Sequence, residues 1–138
     1  EYRVGDGTTA LRIGQFPVFG AEIAAGAATF DVPFGWTDNN DVNQTIIPMA
    51  MTCRNLYANV STAPGAGNSW AVTITDDGSA SGTLTCTISD TNTSCSDTSN
   101  ATASMAAGSV VEFLFTETGT ASSADDGFAT VACYPDGN

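Results

Sequence analysis

The chain has 138 residues, enough for one domain with its own core, and 42% of them are hydrophobic, a normal share for a globular protein. It carries 15 acidic residues against three arginines, with no lysine and no histidine, for a net charge of −12. Such a surface repels phosphate backbones and anionic lipids, which argues against nucleic acid and membrane surfaces as partners. No apolar run is long enough for a transmembrane helix, so membrane insertion is not expected either.

The N-terminal third mixes short apolar runs with glycine-rich stretches. In residues 15–19 a short strand is interrupted by Pro17, which restricts it to the edge of a sheet. The alanine-rich stretch 21–28 predicts a helical turn. Residues 28–36 then alternate between apolar and other side chains, which is the pattern of a half-buried strand. Residues 1–19, which come before this strand, are a candidate N-terminal arm or donor strand.

The rest of the chain alternates strands with turns that are rich in Asp, Asn and Gly. Strands are predicted at 44–50, 52–62, 69–76, 82–89, 101–106, 109–118 and 127–134. Trp70, Val72 and Ile74 fall on one inward face, whereas Leu114 breaks the alternation of its strand, so both faces of that strand are expected to be covered. Eight or nine short strands, with turns about every 8–12 residues, predict one all-β domain over residues 1–138: an antiparallel β-sandwich, jelly-roll-like or immunoglobulin-like.

The four cysteines predict disulfides. Cys53, Cys86, Cys95 and Cys133 have no CxxC spacing and no histidine to complete a zinc site, so an oxidising, extracellular compartment fits them better than a metal. Three pairings are conceivable. We favour Cys86 with Cys95, across the loop between them, and Cys53 with Cys133, from an early strand to the last.

Strand alternation supports these two pairs unequally. It places Cys86 on the inward face with Leu84, which suits a buried disulfide. It places Cys53 with Tyr57 and Asn59 on the outer face, which makes the second pair the weaker prediction.

One segment carries a resemblance. The stretch RNLYANVSTAPGAGNSW at 54–70, with the strands and turns that follow it, resembles uncharacterised β-sandwich structural proteins of bacteriophages and environmental bacteria over about residues 44–118. The resemblance implies a virion-associated or surface structural module without catalytic residues. The chain departs from the pattern in its four cysteines, its lack of lysine and its turn at 76–78.

No catalytic constellation emerges from the sequence, and we predict that the protein is not an enzyme. Histidine and lysine are absent as bases. Two carboxylate pairs, Glu112 with Glu117 and Asp76 with Asp77, have the residue types that glycoside hydrolysis requires. Exposed acids on a sandwich surface are the simpler interpretation.

Loops supply two further kinds of candidate site. Asp38 and Asp41 offer the hard oxygen ligands that calcium prefers, which makes calcium the one candidate cofactor, although Asp and Asn clusters also arise simply as turns. N-x-S/T triplets mark four candidate glycosylation sites, at Asn43, Asn59, Asn92 and Asn100.

The leading functional hypothesis is a structural subunit of an extracellular assembly, either a self-assembling filament or a virion surface. Its partners would then be copies of itself or a virion. An extended apolar segment can join the open sheet edge of a neighbour, and the candidate assembly residues are Phe16, Val18, Phe19, Phe30 and Trp36. The alternative, for residues 1–19 as for residues 28–36, is that they form the first strands of the chain's own sandwich.

A second hypothesis is a carbohydrate-binding module of a secreted or phage protein. The candidate stacking residues are Trp36, Trp70, Tyr57 and Tyr134. Alternation turns both tryptophans inward, which counts against them. Tyr57 faces outward, but the sequence shows no aromatic partner two residues away.

Overall fold

The structure is a computed structural model. It describes the backbone of residues 2–5, 10–13, 18–24, 29–33, 45–121 and 126–136, and the side chains of 45–121 and 128–136. Within these ranges all regular structure is strand. The strands are β1 (Tyr2–Gly5), β2 (Ala10–Ile13), β3 (Val18–Ala24), β4 (Thr29–Pro33), β5 (Thr45–Ile46), β6 (Met51–Val60), β7 (Gly65–Asp76), β8 (Ser79–Asp90), β9 (Ser94–Asp97), β10 (Ala103–Met105), β11 (Val110–Thr118) and β12 (Asp126–Pro135).

The strands form two main antiparallel sheets and a separate hairpin. Sheet I has the order β10-β6-β12-β3, with β9 also paired to β6. Sheet II has the order β4-β11-β7-β8, with β5 also paired to β11. Strands β1 and β2 pair with each other. The prediction of an all-β chain with sandwich architecture is confirmed at this level.

One hydrophobic core contains side chains from both sheets, and the two sheets fill it differently. Sheet II contributes its large residues, with Phe113 opposite Ile74 and Phe115 opposite Val72 on neighbouring strands. Sheet I contributes many small ones; its fully buried positions include Ala103 and Ala129. Large side chains facing small ones allow two twisted sheets to pack without voids. The predicted inward face of β7, which includes Trp70, is confirmed by its burial.

A β-bulge in β6 overturns the predicted orientation of Cys53. Arg54 lies opposite Ala132, but Tyr57 lies opposite Thr130, so two residues of β6 face one residue of β12. The extra residue is Asn55, whose φ of 59° lies in the left-handed region that Asn tolerates better than most residues. The alternation shifts at this point, and Cys53 is fully buried, not on the outer face with Tyr57.

Other boundaries also differ from the predictions. Residues 21–24 belong to strand β3 and are not a helical turn. The predicted strand 44–50 shrinks to β5, a two-residue strand. Strand β9, which the sequence did not predict, lies beside β6. Short strands without clear alternation depend on pairing partners that are distant in sequence, so local pattern does not reveal them.

Both favoured disulfides are present. Cys53 and Cys133 lie directly opposite each other on adjacent strands of sheet I. Cys86 lies on β8 of sheet II and Cys95 on β9 of sheet I, so the second disulfide joins the two sheets. All four cysteines are paired, which is compatible with an oxidising compartment.

The two disulfides should contribute unequally to stability. Cys53 and Cys133 are 80 residues apart and Cys86 and Cys95 only 9. In the loop-entropy view a longer closed loop restricts the unfolded chain more, which corresponds to about 4.5 kcal/mol for the first pair and about 2.6 kcal/mol for the second. We expect the variant C53A/C133A to lose more free energy of unfolding than C86A/C95A in urea titrations. Equal losses, or a larger loss for the short loop, would contradict this order.

Candidate functional site

Several predicted site residues lie outside the described part of the chain. These are Phe16 and Trp36 of the assembly set, Asp38 and Asp41 of the calcium set, and Asn43 of the glycosylation set. Within the described ranges, no group of three or more His, Cys, Asp or Glu residues gathers in a metal-binding arrangement. Calcium therefore stays a prediction for Asp38 and Asp41, which lie outside those ranges.

The remaining assembly candidates lie on two strands of different sheets. Val18 and Phe19 belong to β3, which pairs with β12 at one end of sheet I. Phe30 belongs to β4, which pairs with β11 at one end of sheet II, opposite Phe115. In this chain, both strands therefore complete its own sandwich.

The carboxylates of the two candidate catalytic pairs have structural partners. Asp76 accepts a hydrogen bond from the backbone N–H of Ala106 at 3.0 Å, and Asp77 accepts one from Val110 at 2.9 Å. Glu117 accepts one from the backbone N–H of Ala121 at 2.6 Å. Each of these bonds holds a loop or a strand end in place.

The outer face of sheet I carries a shallow groove. It is lined by Tyr57, Ala58, Asn59, Ser94, Cys95, Ser96 and Phe128, with a volume of roughly 400 Å³. Tyr57 is 50% exposed and Phe128 is 52% exposed. We call this feature the β6–β9–β12 groove.

Strand register arranges the groove in two adjacent rows. In the first row Ser96 of β9 lies beside Tyr57 of β6. In the second row Asn59 lies between Ser94 on β9 and Phe128 on β12. Tyr57 and Phe128 are therefore diagonal neighbours on one face, about 7–8 Å apart by the ordinary geometry of antiparallel pairs.

Strand β9, which forms one side of the groove, is anchored to the opposite sheet at two points. The Cys86–Cys95 disulfide provides the covalent anchor. Two residues further along, the Asp97 carboxylate accepts a hydrogen bond from the backbone N–H of Thr85 on β8 at 3.3 Å. The groove is thus built on a strand whose position the core determines.

The aromatic residues predicted for sugar stacking differ in their exposure to solvent. Trp70 is buried, as its position predicted, and Tyr134 is 39% exposed further along the face that carries Phe128. Tyr134 lines a second shallow depression with Thr52 and Arg54. Sequence reasoning missed Phe128, because it joins Tyr57 only through the pairing of β6 with β12, and nothing local to residue 57 indicates that pairing.

The candidate glycosylation sites differ in accessibility. Asn92 and Asn100 are exposed, and Asn92 lies in the turn after β8, where its N–H donates to the carbonyl of Ser89. Asn59 is half-buried within β6. Whether any of the three is modified stays a prediction.

Comparison of the chain with protein-family models, curated proteins and solved structures gave no match. Among the described residues, no helix has the length and apolar character needed to cross a membrane.

The anchor at Asp97 should respond to pH. Hydrogen bonds from the hydroxyl of Ser99 at 2.6 Å and from its backbone N–H at 3.1 Å lower the pKa of Asp97 below its usual 3.8, with Thr85 adding to the effect. Because the pKa of Asp97 is lower in the folded state than in the unfolded state, its ionised carboxylate stabilises the fold at pH values above the ordinary pKa. This stabilisation is lost as the pH falls through the pKa of the folded state.

We therefore expect the variant D97N to be less stable than the wild type at pH 6, and the gap to narrow as the pH is lowered below about 3.8. Urea unfolding at a series of pH values measures this gap. The variant S99A, which removes the strongest of the hydrogen bonds, should show part of the same effect. A gap that stays constant across the series would contradict the assignment.

Proposed function

We propose that this protein is a non-enzymatic structural subunit of an extracellular assembly, a self-assembling filament or a virion surface, joined by exchange of its N-terminal strands. We also propose that the sandwich is jelly-roll-like or immunoglobulin-like and that the protein is extracellular, with which its two disulfides are compatible. Residues 44–118 would then be related to the β-sandwich structural proteins of phages and environmental bacteria that they resemble.

One observation carries the proposal: a single N-terminal segment supplies the end strand of both sheets. β3 pairs with β12 from Val18 to Ala24, and β4 pairs with β11 from Thr29 to Pro33. Without this segment, β12 and β11 would each present an open edge. Unpaired edges readily accept a strand from another chain.

Exchange of the segment between copies would sacrifice few backbone hydrogen bonds. The same strands in the same register would form the same hydrogen bonds, whether they come from the same chain or from a neighbour, which is the basis of domain swapping.

The charge of the chain is consistent with this mode of contact. A net charge of −12 makes association through charged surfaces unfavourable between identical copies. Backbone hydrogen bonds between strands do not depend on that charge. Assembly should therefore be favoured by salt, which screens the repulsion.

Cysteine cross-linking distinguishes exchange from closure within one chain. Thr29 of β4 lies directly opposite Thr116 of β11, a spacing that suits a disulfide between paired strands. We expect a mixture of the single variants T29C and T116C, oxidised under assembly conditions, to give a covalent heterodimer within ordered polymers seen by electron microscopy.

The matched control is T29C mixed with T118C, because Thr118 is exposed on the same strand two positions out of register. This mixture should cross-link far less. The double variant T29C/T116C should form covalent multimers. If it closes only within single chains, and the mixed single variants give no heterodimer, strand exchange is wrong.

A further inference from the structure

We propose that the β6–β9–β12 groove binds a neutral oligosaccharide, with one sugar ring against Tyr57 and another against Phe128. This site does not depend on the assembly mode, because it lies on the outer face of β6 and β12 and not on β3 or β4. A structural subunit does not require this surface for its own folding.

The groove offers side chains for both the apolar C–H faces and the hydroxyl groups of a sugar. Tyr57 and Phe128 offer broad apolar surfaces, each about half exposed, and sugar rings present apolar C–H faces that pack on such surfaces. Asn59, Ser94 and Ser96 lie beside the rings and supply amide and hydroxyl groups. These groups can both donate hydrogen bonds to sugar hydroxyls and accept them.

Charge selects a neutral ligand. None of the described residues that line the groove is charged, Glu22 of β3 lies opposite Phe128 in register, and the chain as a whole has a net charge of −12. Phosphorylated, sulfated or uronic-acid polymers would be repelled, and none of the described lining residues is a cation that could compensate. A neutral glycan meets no such penalty.

The size and rigidity of the groove suit a small ligand. Its volume of roughly 400 Å³ lies within the range of about 300–1,000 Å³ that is typical of small-molecule sites. The Cys86–Cys95 disulfide and the Asp97 hydrogen bond hold β9 in place. A preorganised site loses little conformational entropy when it binds a small ligand.

The test uses the whole protein and four neutral probes: cellohexaose, xylohexaose, mannohexaose and chitohexaose. Isothermal titration calorimetry should detect binding of at least one probe at millimolar concentration. Y57A and F128A should each lower the affinity for that probe by about fivefold or more. Y134A is the matched control, an exposed aromatic on the strand that carries Phe128 but outside the groove, and it should leave the affinity unchanged.

Each other outcome overturns the proposal. If no probe binds, or if Y134A weakens binding as much as Y57A, the groove is not the site. Asn59 begins an N-x-S triplet inside the groove, so mass spectrometry of the native protein must accompany the titrations. A glycan attached to Asn59 would mean that the groove holds the chain's own sugar and not an external ligand. Thermal melting of the variants confirms that each remains folded.

Discussion

One extra residue in β6 determines which side chains of that strand face the core and which face solvent. Before Asn55, the strand buries Met51 and Cys53; after it, the strand buries Leu56 and residues two and four positions further on. In a regular strand these two sets would point to opposite faces. The bulge allows both halves of β6 to contribute to one core.

The disulfide and the groove both depend on this shift. With Cys53 inward, it meets Cys133 directly opposite on β12. With Tyr57 outward, it lies diagonal to Phe128 across the same pair of strands. A strand without the bulge could satisfy only one of these arrangements. The covalent closure of sheet I and its aromatic outer surface are therefore linked through a single backbone conformation.

The Cys86–Cys95 disulfide connects β9, which forms one side of the groove, to sheet II. Strand β9 is too short to be stable on its own, and it lies on β6 only through four residue pairs. Its bond from Cys95 to Cys86 fixes it to β8, whose inward face contributes Leu84 and Ile88 to the core. The position of the groove thus follows from core packing and not from contacts within the groove.

Long strands with strict alternation could be predicted from sequence, and irregular ones could not. The inward face of Trp70, Val72 and Ile74 followed from period-two alternation, and so did the burial of Cys86. The orientation of Cys53 did not, because a left-handed Asn leaves no trace in a hydrophobic pattern.

The groove could not be predicted from the sequence either. Its two rings are separated by 70 residues along the chain and meet only through strand register. Tyr57 could be recognised as outward, but the sequence does not identify Phe128 as its neighbour.

The role of the bulge is tested most directly by the free energy of unfolding of two variants at position 55. Glycine adopts a left-handed backbone without strain, so N55G should be as stable as the wild type or slightly more so. A β-branched residue in that conformation is strained, so N55V should lose about 2 kcal/mol in urea titrations and form less of the Cys53–Cys133 disulfide during oxidative refolding. If N55V matches the wild type in both measurements, β6 does not depend on the bulge and the account is wrong.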